Sequence, residues 1–211
     1  MEAHETGPDT WVYLIRHGET DWNAQGRWMG HSIAALNDTG QAQARRVAAR
    51  LAGAGLAALY ASDTVRTLQT ARAIAEATGL EIRPDPRLRE MDVGVWQGHT
   101  RAEIETNDPA RYAARQRDPL NMPIPGGESW LDLVARVREA FDAITAAHRG
   151  ACVAIVAHGG PIKAILYLLD GAPQTLLEPQ VTNASITLLR GQPGAWTVAA
   201  FNDTGHLESL A

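Results

Sequence analysis

Two apolar runs in this chain end in the same dipeptide. WVYLI at 11–15 leads through Arg16 into His17-Gly18, and ACVAIVA at 151–157 leads straight into His158-Gly159. Short apolar runs rich in β-formers and bounded by polar turns read as strands buried on both faces of a sheet. Such strands need helices over both faces, and the sequence between them supplies helices. After a polar, Gly-containing loop to Asn37, NDTG at 37–40 offers N-caps, and QAQARRVAARLAGAG keeps helical spacing until Gly53 and Gly55. LAALYAS at 56–62 reads as a strand, and Ser62-Asp63 can cap a helix over 64–78 that Gly79 stops. LEIR at 80–83 is a short strand closed by Pro84 and Pro86, and residues 126–148 form an amphipathic helix. PIKAILYLLDG at 161–171 is a buried helix with proline in its first turn. ASITLLR at 184–190 and AWTVAAF at 195–201 pair as a hairpin across QPG.

This alternation predicts an α/β fold, a three-layer α/β/α sandwich with a mostly parallel central sheet. At 211 residues the chain fits a single domain over 11–211, with a flexible tail at 1–10. From Leu88 the pattern weakens, and prolines at 109, 119, 123 and 125 interrupt short helices. We read a helical insertion at about 99–127, lying over one end of the sheet and the site. In sheets of this kind ligands bind outside the carboxyl ends of the strands, which is where both His-Gly pairs fall.

Composition narrows the partners. The net charge of −5 argues against a nucleic-acid or anionic-membrane surface. No window reaches the roughly 18 apolar residues of a membrane span. The amino-terminal MEAHETGPDT lacks the basic and apolar regions of a signal peptide. The single cysteine, Cys152, allows no internal disulfide and reads as a core residue. A cytoplasmic location is the expectation. A homodimer through an edge strand is left open.

The chemistry gathers at the strand tips. A neutral imidazole at His17 can serve as nucleophile, base or metal ligand. Arg16 beside it disfavours the imidazolium and offers a fork of donors, a pairing that suits phosphate better than a cation. Arg66 falls in the first turn of its helix, where the dipole disfavours a cation unless an anion sits between them. Thr67, Gln69 and Thr70 read as supports for that helix start. The turn His158-Gly159-Gly160-Pro161 lets the backbone approach a ligand with outward-facing amides. In LREMDVGVWQG at 88–98, Glu90 and Asp92 both have the chemistry of a shielded proton donor near Trp96, and spacing does not choose between them. The remaining histidines form no metal-ligand spacing, so neither a metal nor a cofactor is expected.

RHGETDWN (16–23), SDTVRTLQTA (62–71), LREMDVGVWQG (88–98), PGGES (125–129) and AHGG (157–160) stand in an order that resembles the histidine phosphatase superfamily, phosphoglycerate mutase-like branch. NASITLL (183–189) and FNDTGHL (201–207) resemble its small bacterial broad-specificity and α-ribazole-type phosphatases. The resemblance implies that His17 becomes phosphohistidine. It implies that Arg16, Arg66 and His158 grip phosphate and that Glu90, rather than Asp92, is the proton donor. It further implies donors to the phosphoryl oxygens from the Asn23 side chain and the Gly159 amide, without a metal. The chain departs from the mutases at Met29-Gly30, where they carry a small polar residue before glycine. It also lacks their basic pattern among Arg111, Arg115 and Arg117, and it is shorter. These departures favour a phosphatase of small phosphomonoesters over a 2,3-bisphosphoglycerate-dependent mutase or a non-catalytic phosphate-binding domain. Trp28, Met29, Gly30 and His31 are candidates for the leaving-group side of the pocket.

Overall fold

The structure, a computed structural model, describes residues 8–178 and 180–210. The elements run β1 (Thr10–Arg16), α1 (Asp21–Ala24), α2 (Asp38–Leu51), β2 (Leu56–Ala61), α3 (Val65–Thr78) and β3 (Ile82–Pro84). They continue with α4 (Arg101–Asn107), α5 (Pro109–Arg117), α6 (Trp130–Ala147), β4 (Cys152–Ala157) and α7 (Gly159–Asp170). α8 (Pro173–Leu177), β5 (Ile186–Gln192) and β6 (Ala195–Asp203) complete the order, with 3₁₀ turns at Pro86–Leu88, Gly94–Trp96 and Gly205–Leu210.

One sheet runs β3-β2-β4-β1-β5-β6. β3, β2, β4 and β1 are parallel; β5 and β6 add an antiparallel hairpin at one edge. Successive strand residues point to opposite faces. Leu14 and Ile155 therefore pack with Val137, Phe141 and Ile162 of α6 and α7, and Ile15 and Val156 pack with Val47, Leu51 and Ile74 of α2 and α3. This is the expected three-layer sandwich. The chain leaves β1 toward one face and leaves β4 toward the other. The carboxyl ends of these two neighbours thus flank a switch point, where a crevice opens between diverging connections.

Some boundaries differ from the sequence reading, each for a local reason. Of the expected tail, residues 1–7 lie outside the described residues. Thr10 is not tail: it is buried in β1, and its hydroxyl accepts the Gly150 amide at 2.8 Å. α1 interrupts the expected loop through a capping box between Thr20 and Asn23. α7 begins at Gly159, so Pro161 is its third residue, still among the positions whose N–H has no partner within the helix. β5 begins at Ile186 because Ala184 is left-handed, with φ 57°. The insertion folds as α4 and α5, with Tyr112 packed 6.1 Å from Trp96. Among the described residues no helix is long and apolar enough to cross a membrane.

Candidate active site

The site starts from strand register. Arg16 pairs with Ala157 across β1 and β4, and the His17 amide donates to the Ala157 carbonyl at 3.0 Å. The next residue on each strand is a histidine, so the rings of His17 and His158 meet edge to face at 5.1 Å between centroids. Both are buried, at 1% and 0% exposure. His17 Nδ1 lies 2.7 Å from the Gly18 carbonyl oxygen. A carbonyl only accepts, so the proton is on Nδ1, and Nε2 keeps its lone pair. Burial first, then Arg16 and Arg66, hold the His17 pKa well below the ordinary histidine value.

Close backbone packing holds this turn. A Cβ at Gly18 would lie 2.4 Å from the Gly40 carbonyl oxygen, and one at Gly40 would lie 2.0 Å from the Glu19 carbonyl oxygen. Thr70 Oγ1 accepts the Gly18 amide at 3.1 Å, and Asn183 Nδ2 donates to the His17 carbonyl at 3.1 Å.

Arg16 donates through Nη1 to the Val181 carbonyl, and its Nε is buried without a partner. Arg66 is fully buried; its Nη1 and Nη2 donate to the carbonyls of Ser32 and Gly30 at 3.0 and 2.8 Å, and its Nε is likewise unpartnered. Burial lowers the Arg66 pKa to about 10, partly offset by Glu90 and reinforced by Arg16. Guanidinium nitrogens buried without a carboxylate at ion-pair distance are costly and favour an incoming anion.

His158 Nε2 sits 2.9 Å from Ser62 Oγ and 3.5 Å from Thr64 Oγ1, while Nδ1 is buried and unpartnered. Burial, then Arg66 and His17, push its pKa well below the ordinary value. Thr67 donates to the Ser62 carbonyl at 2.7 Å, and Gln69 accepts the Leu36 amide at 2.8 Å. Thr67 supports the helix start, as expected, whereas Gln69 and Thr70 reach beyond it, to Leu36 and Gly18, and tie the surrounding loops to α3.

Geometry separates Glu90 from Asp92. Glu90 lines the cleft, and its carboxylate accepts the amides of Met91 at 2.8 Å and Gly160 at 3.1 Å. Asp92 instead accepts the Gly94 amide at 2.9 Å within its own loop. The shield beside Glu90 is not Trp96, which stands edge-on behind Trp28 at 5.7 Å. Trp28, Met91, Val93 and Trp130 form the apolar walls of a cleft of about 300 Å³.

Of the candidate binding residues, Met29, Gly30 and Gly159 line that cleft. Asn23 Oδ1 is held by Thr20 and Asn183. Its amide nitrogen makes no hydrogen bond among the described residues, which leaves a donor. His31 lies behind the wall, with Nε2 2.9 Å from the Glu90 carbonyl oxygen. Among the described residues none of 99–127 lines the cleft; the insertion supports it from behind, where Arg115 reaches Met91 Sδ at 3.4 Å. Lys163, Trp130, Gln180 and Asn183 were not identified from sequence. Among the described residues no three His, Cys, Asp or Glu side chains cluster as metal ligands.

A neutral imidazole with a bare nitrogen, one buried and one half-buried guanidinium and a carboxyl group across a small cleft can transfer a phosphoryl group. Comparison with known proteins agrees. The model of the histidine phosphatase superfamily (branch 1) matches residues 12–204. The probable phosphoglycerate mutase GpmB of Erwinia tasmaniensis is 34% identical over 206 residues, covering 95% of this chain and 96% of that protein. The structure of Bacillus stearothermophilus YhfR matches with a TM-score of 0.86 at 33% identity, covering 94% of this chain and 100% of that one. That of a mycobacterial glucosyl-3-phosphoglycerate phosphatase complexed with VO3 matches at 0.84 and 32% identity, covering 92% and 99%. Matched over most of its length, the chain belongs to branch 1 of the histidine phosphatase superfamily.

Proposed function

We propose that the chain hydrolyses small phosphomonoesters without a metal ion, through a phosphohistidine on His17. The observation that carries this reading is the state of His17: neutral, its Nδ1–H given to the Gly18 carbonyl, its Nε2 bare, with Arg16 and Arg66 close enough to oppose protonation. In the first step the Nε2 lone pair attacks phosphorus and the bond to the ester oxygen breaks. That oxygen takes the proton of the Glu90 carboxyl group and departs as an alcohol. The guanidiniums of Arg16 and Arg66, the Asn23 amide and the Gly159 N–H stabilise the charge on the equatorial oxygens. The incoming dianion also favours the charged form of His158, which adds a donor. In the second step water attacks phosphorus and gives a proton to the Glu90 carboxylate. The N–P electrons return to Nε2 and phosphate leaves.

The test is hydrolysis of p-nitrophenyl phosphate in EDTA. We expect activity to survive the chelator and to fall by at least about 10³-fold in His17→Ala. Alkaline quench after mixing with ³²P-labelled ester should trap label on His17. An unlabelled enzyme together with a fully active His17→Ala variant would sink the reading. A mutase is the second reading, favoured by relatives such as the Erwinia protein. It predicts isomerisation of phosphoglycerate in excess of phosphate release.

A further inference from the structure

The stretches NASITLL (183–189) and FNDTGHL (201–207) have no part in the mechanism above. The structure brings them together beside His17. Residues 181–185 lie against the end of β1. The Val181 carbonyl accepts Arg16 Nη1, and the Ser185 carbonyl accepts the Arg16 amide at 3.2 Å. The Ala184 amide donates to the carbonyls of Arg16 and His17 at 3.0 and 3.1 Å. Ala184 is fully buried and left-handed, a conformation that an alanine keeps only when its surroundings hold it there. The second stretch does the holding. Asn202 accepts the Thr182 amide at 2.7 Å through Oδ1 and donates to Thr182 Oγ1 at 3.1 Å. His206 Nε2 donates to the Ala184 carbonyl at 3.0 Å.

This clamped turn presents Asn183. An amide side chain has the same shape either way round, so its neighbours decide which end is oxygen. The carbonyls of His17 and Gly18, at 3.1 and 3.4 Å, only accept, so the end of Asn183 that faces them is the NH2. One of its two N–H bonds serves these carbonyls. The other reaches Asn23 Oδ1 at 3.0 Å. That oxygen also accepts the Thr20 amide at 3.2 Å. With its oxygen claimed from two sides, Asn23 keeps its NH2 as the free end. The Thr20 bond lies within one helix cap and lets Asn23 move with α1. The Asn183 bond ties Asn23 to the nucleophile, because the same nitrogen holds the His17 carbonyl.

We propose that Asn183 is a positioning residue for phosphoryl transfer. Its amide nitrogen fixes the spacing between His17 and the Asn23 donor and keeps the Asn23 NH2 toward the phosphoryl oxygens. The inference rests on the phosphatase reading.

Two readouts separate positioning from mere support of the turn. The first is a double-mutant cycle on kcat/KM for p-nitrophenyl phosphate, with Asn183→Leu and Asn23→Ala. We expect Asn183→Leu to cost roughly ten- to hundredfold in the wild-type background, the scale of a misplaced group. In the Asn23→Ala background its cost should be smaller by at least about fivefold. The second is the side-chain ¹⁵N–¹H resonance pair of Asn23, identified by its loss in Asn23→Ala. Inorganic phosphate should shift this pair in the wild type and leave it in place in Asn183→Leu. Asn183→Ser, whose hydroxyl is too short to bridge both acceptors, should behave in the same way and serves if Asn183→Leu does not fold. Equal costs in the two backgrounds overturn the inference. So does a phosphate shift at Asn23 that the Asn183 variants keep, or an Asn23 pair that phosphate does not move in the wild type. Each of these results leaves the phosphatase reading standing. A wild type that releases no phosphate from p-nitrophenyl phosphate overturns that reading and the inference with it.

Discussion

Two glycines at the site fail in different ways when given a methyl group. At Gly160 a Cβ would stand 2.1 Å from Glu90 Oε1, the far end of a flexible side chain. The carboxylate can swing away, and the helix gains up to about 1 kcal/mol from alanine. Gly160→Ala should therefore hold or raise the melting temperature while kcat falls at least about tenfold, because the proton donor has left its seat. At Gly18 the Cβ would stand 2.4 Å from a backbone oxygen of Gly40, and neither segment can turn aside. Gly18→Ala should cost about 2 kcal/mol of stability by chemical denaturation, with activity lost as the His17 turn shifts. Wild-type kcat in Gly160→Ala would show that the observed seat of Glu90 is not needed for turnover. Glu90→Gln tests the same group more directly. It keeps the amide-accepting oxygen but has no proton to donate, so inorganic phosphate should still bind while turnover drops by roughly 10²-fold or more.

The element that presents Glu90 is a loop without regular strand or long helix, and Arg136 of α6 holds it. The Arg136 Nη1 donates to the carbonyls of Arg87 and Arg89, and Nη2 donates to that of Glu90 at 2.8 Å. Nε and Nη2 also grip Glu128 at 2.7 and 2.8 Å. An ammonium cannot reproduce this fork. Arg136→Lys should lower stability by roughly 2 kcal/mol, less than full loss of a buried partner, and should lower kcat more than it raises KM. Equal damage to both constants would mean that the loop holds substrate rather than the acid. None of this was legible in the sequence, where Arg136 is one more polar residue on an amphipathic helix. What was legible follows from length and period. β1, β4, α2, α3 and α6 repeat their pattern over enough residues to be read, and strand register then brings His17 and His158 together. α1 spans four residues and shows no period. Lys163 sits in an apolar helix where chain order does not reveal a neighbouring cleft. Which tryptophan shields Glu90 depends on packing between segments far apart in sequence, so chain order points to Trp96 where Trp28 and Trp130 stand.

At the scale of the whole molecule, two neutral imidazoles locked into the centre of the sheet tie global stability to pH. In the unfolded chain both rings titrate near their ordinary value of 6.5; in the fold both are held well below it, chiefly by burial. Below that value the unfolded state binds protons that the native state refuses. The stabilising contribution is complete above about pH 6.5 and is lost as pH falls toward the folded values, by up to about 1.4 kcal/mol per ring per pH unit. His148 and His206 shift in the same direction, also chiefly by burial, and add to the trend. Denaturant titrations between about pH 7.5 and about pH 5.5 should show stability falling with acid, and His17→Ala should flatten the slope by removing one of the rings. Inorganic phosphate should stabilise the native state by mass action, about 2.7 kcal/mol at a hundred times its dissociation constant. It should also flatten the slope, because an anion beside His158 lets that ring accept a proton without leaving the fold. Stability level across the whole range without phosphate would mean that the rings are charged in the native state, and a charged His17 has no lone pair at Nε2 for phosphorus.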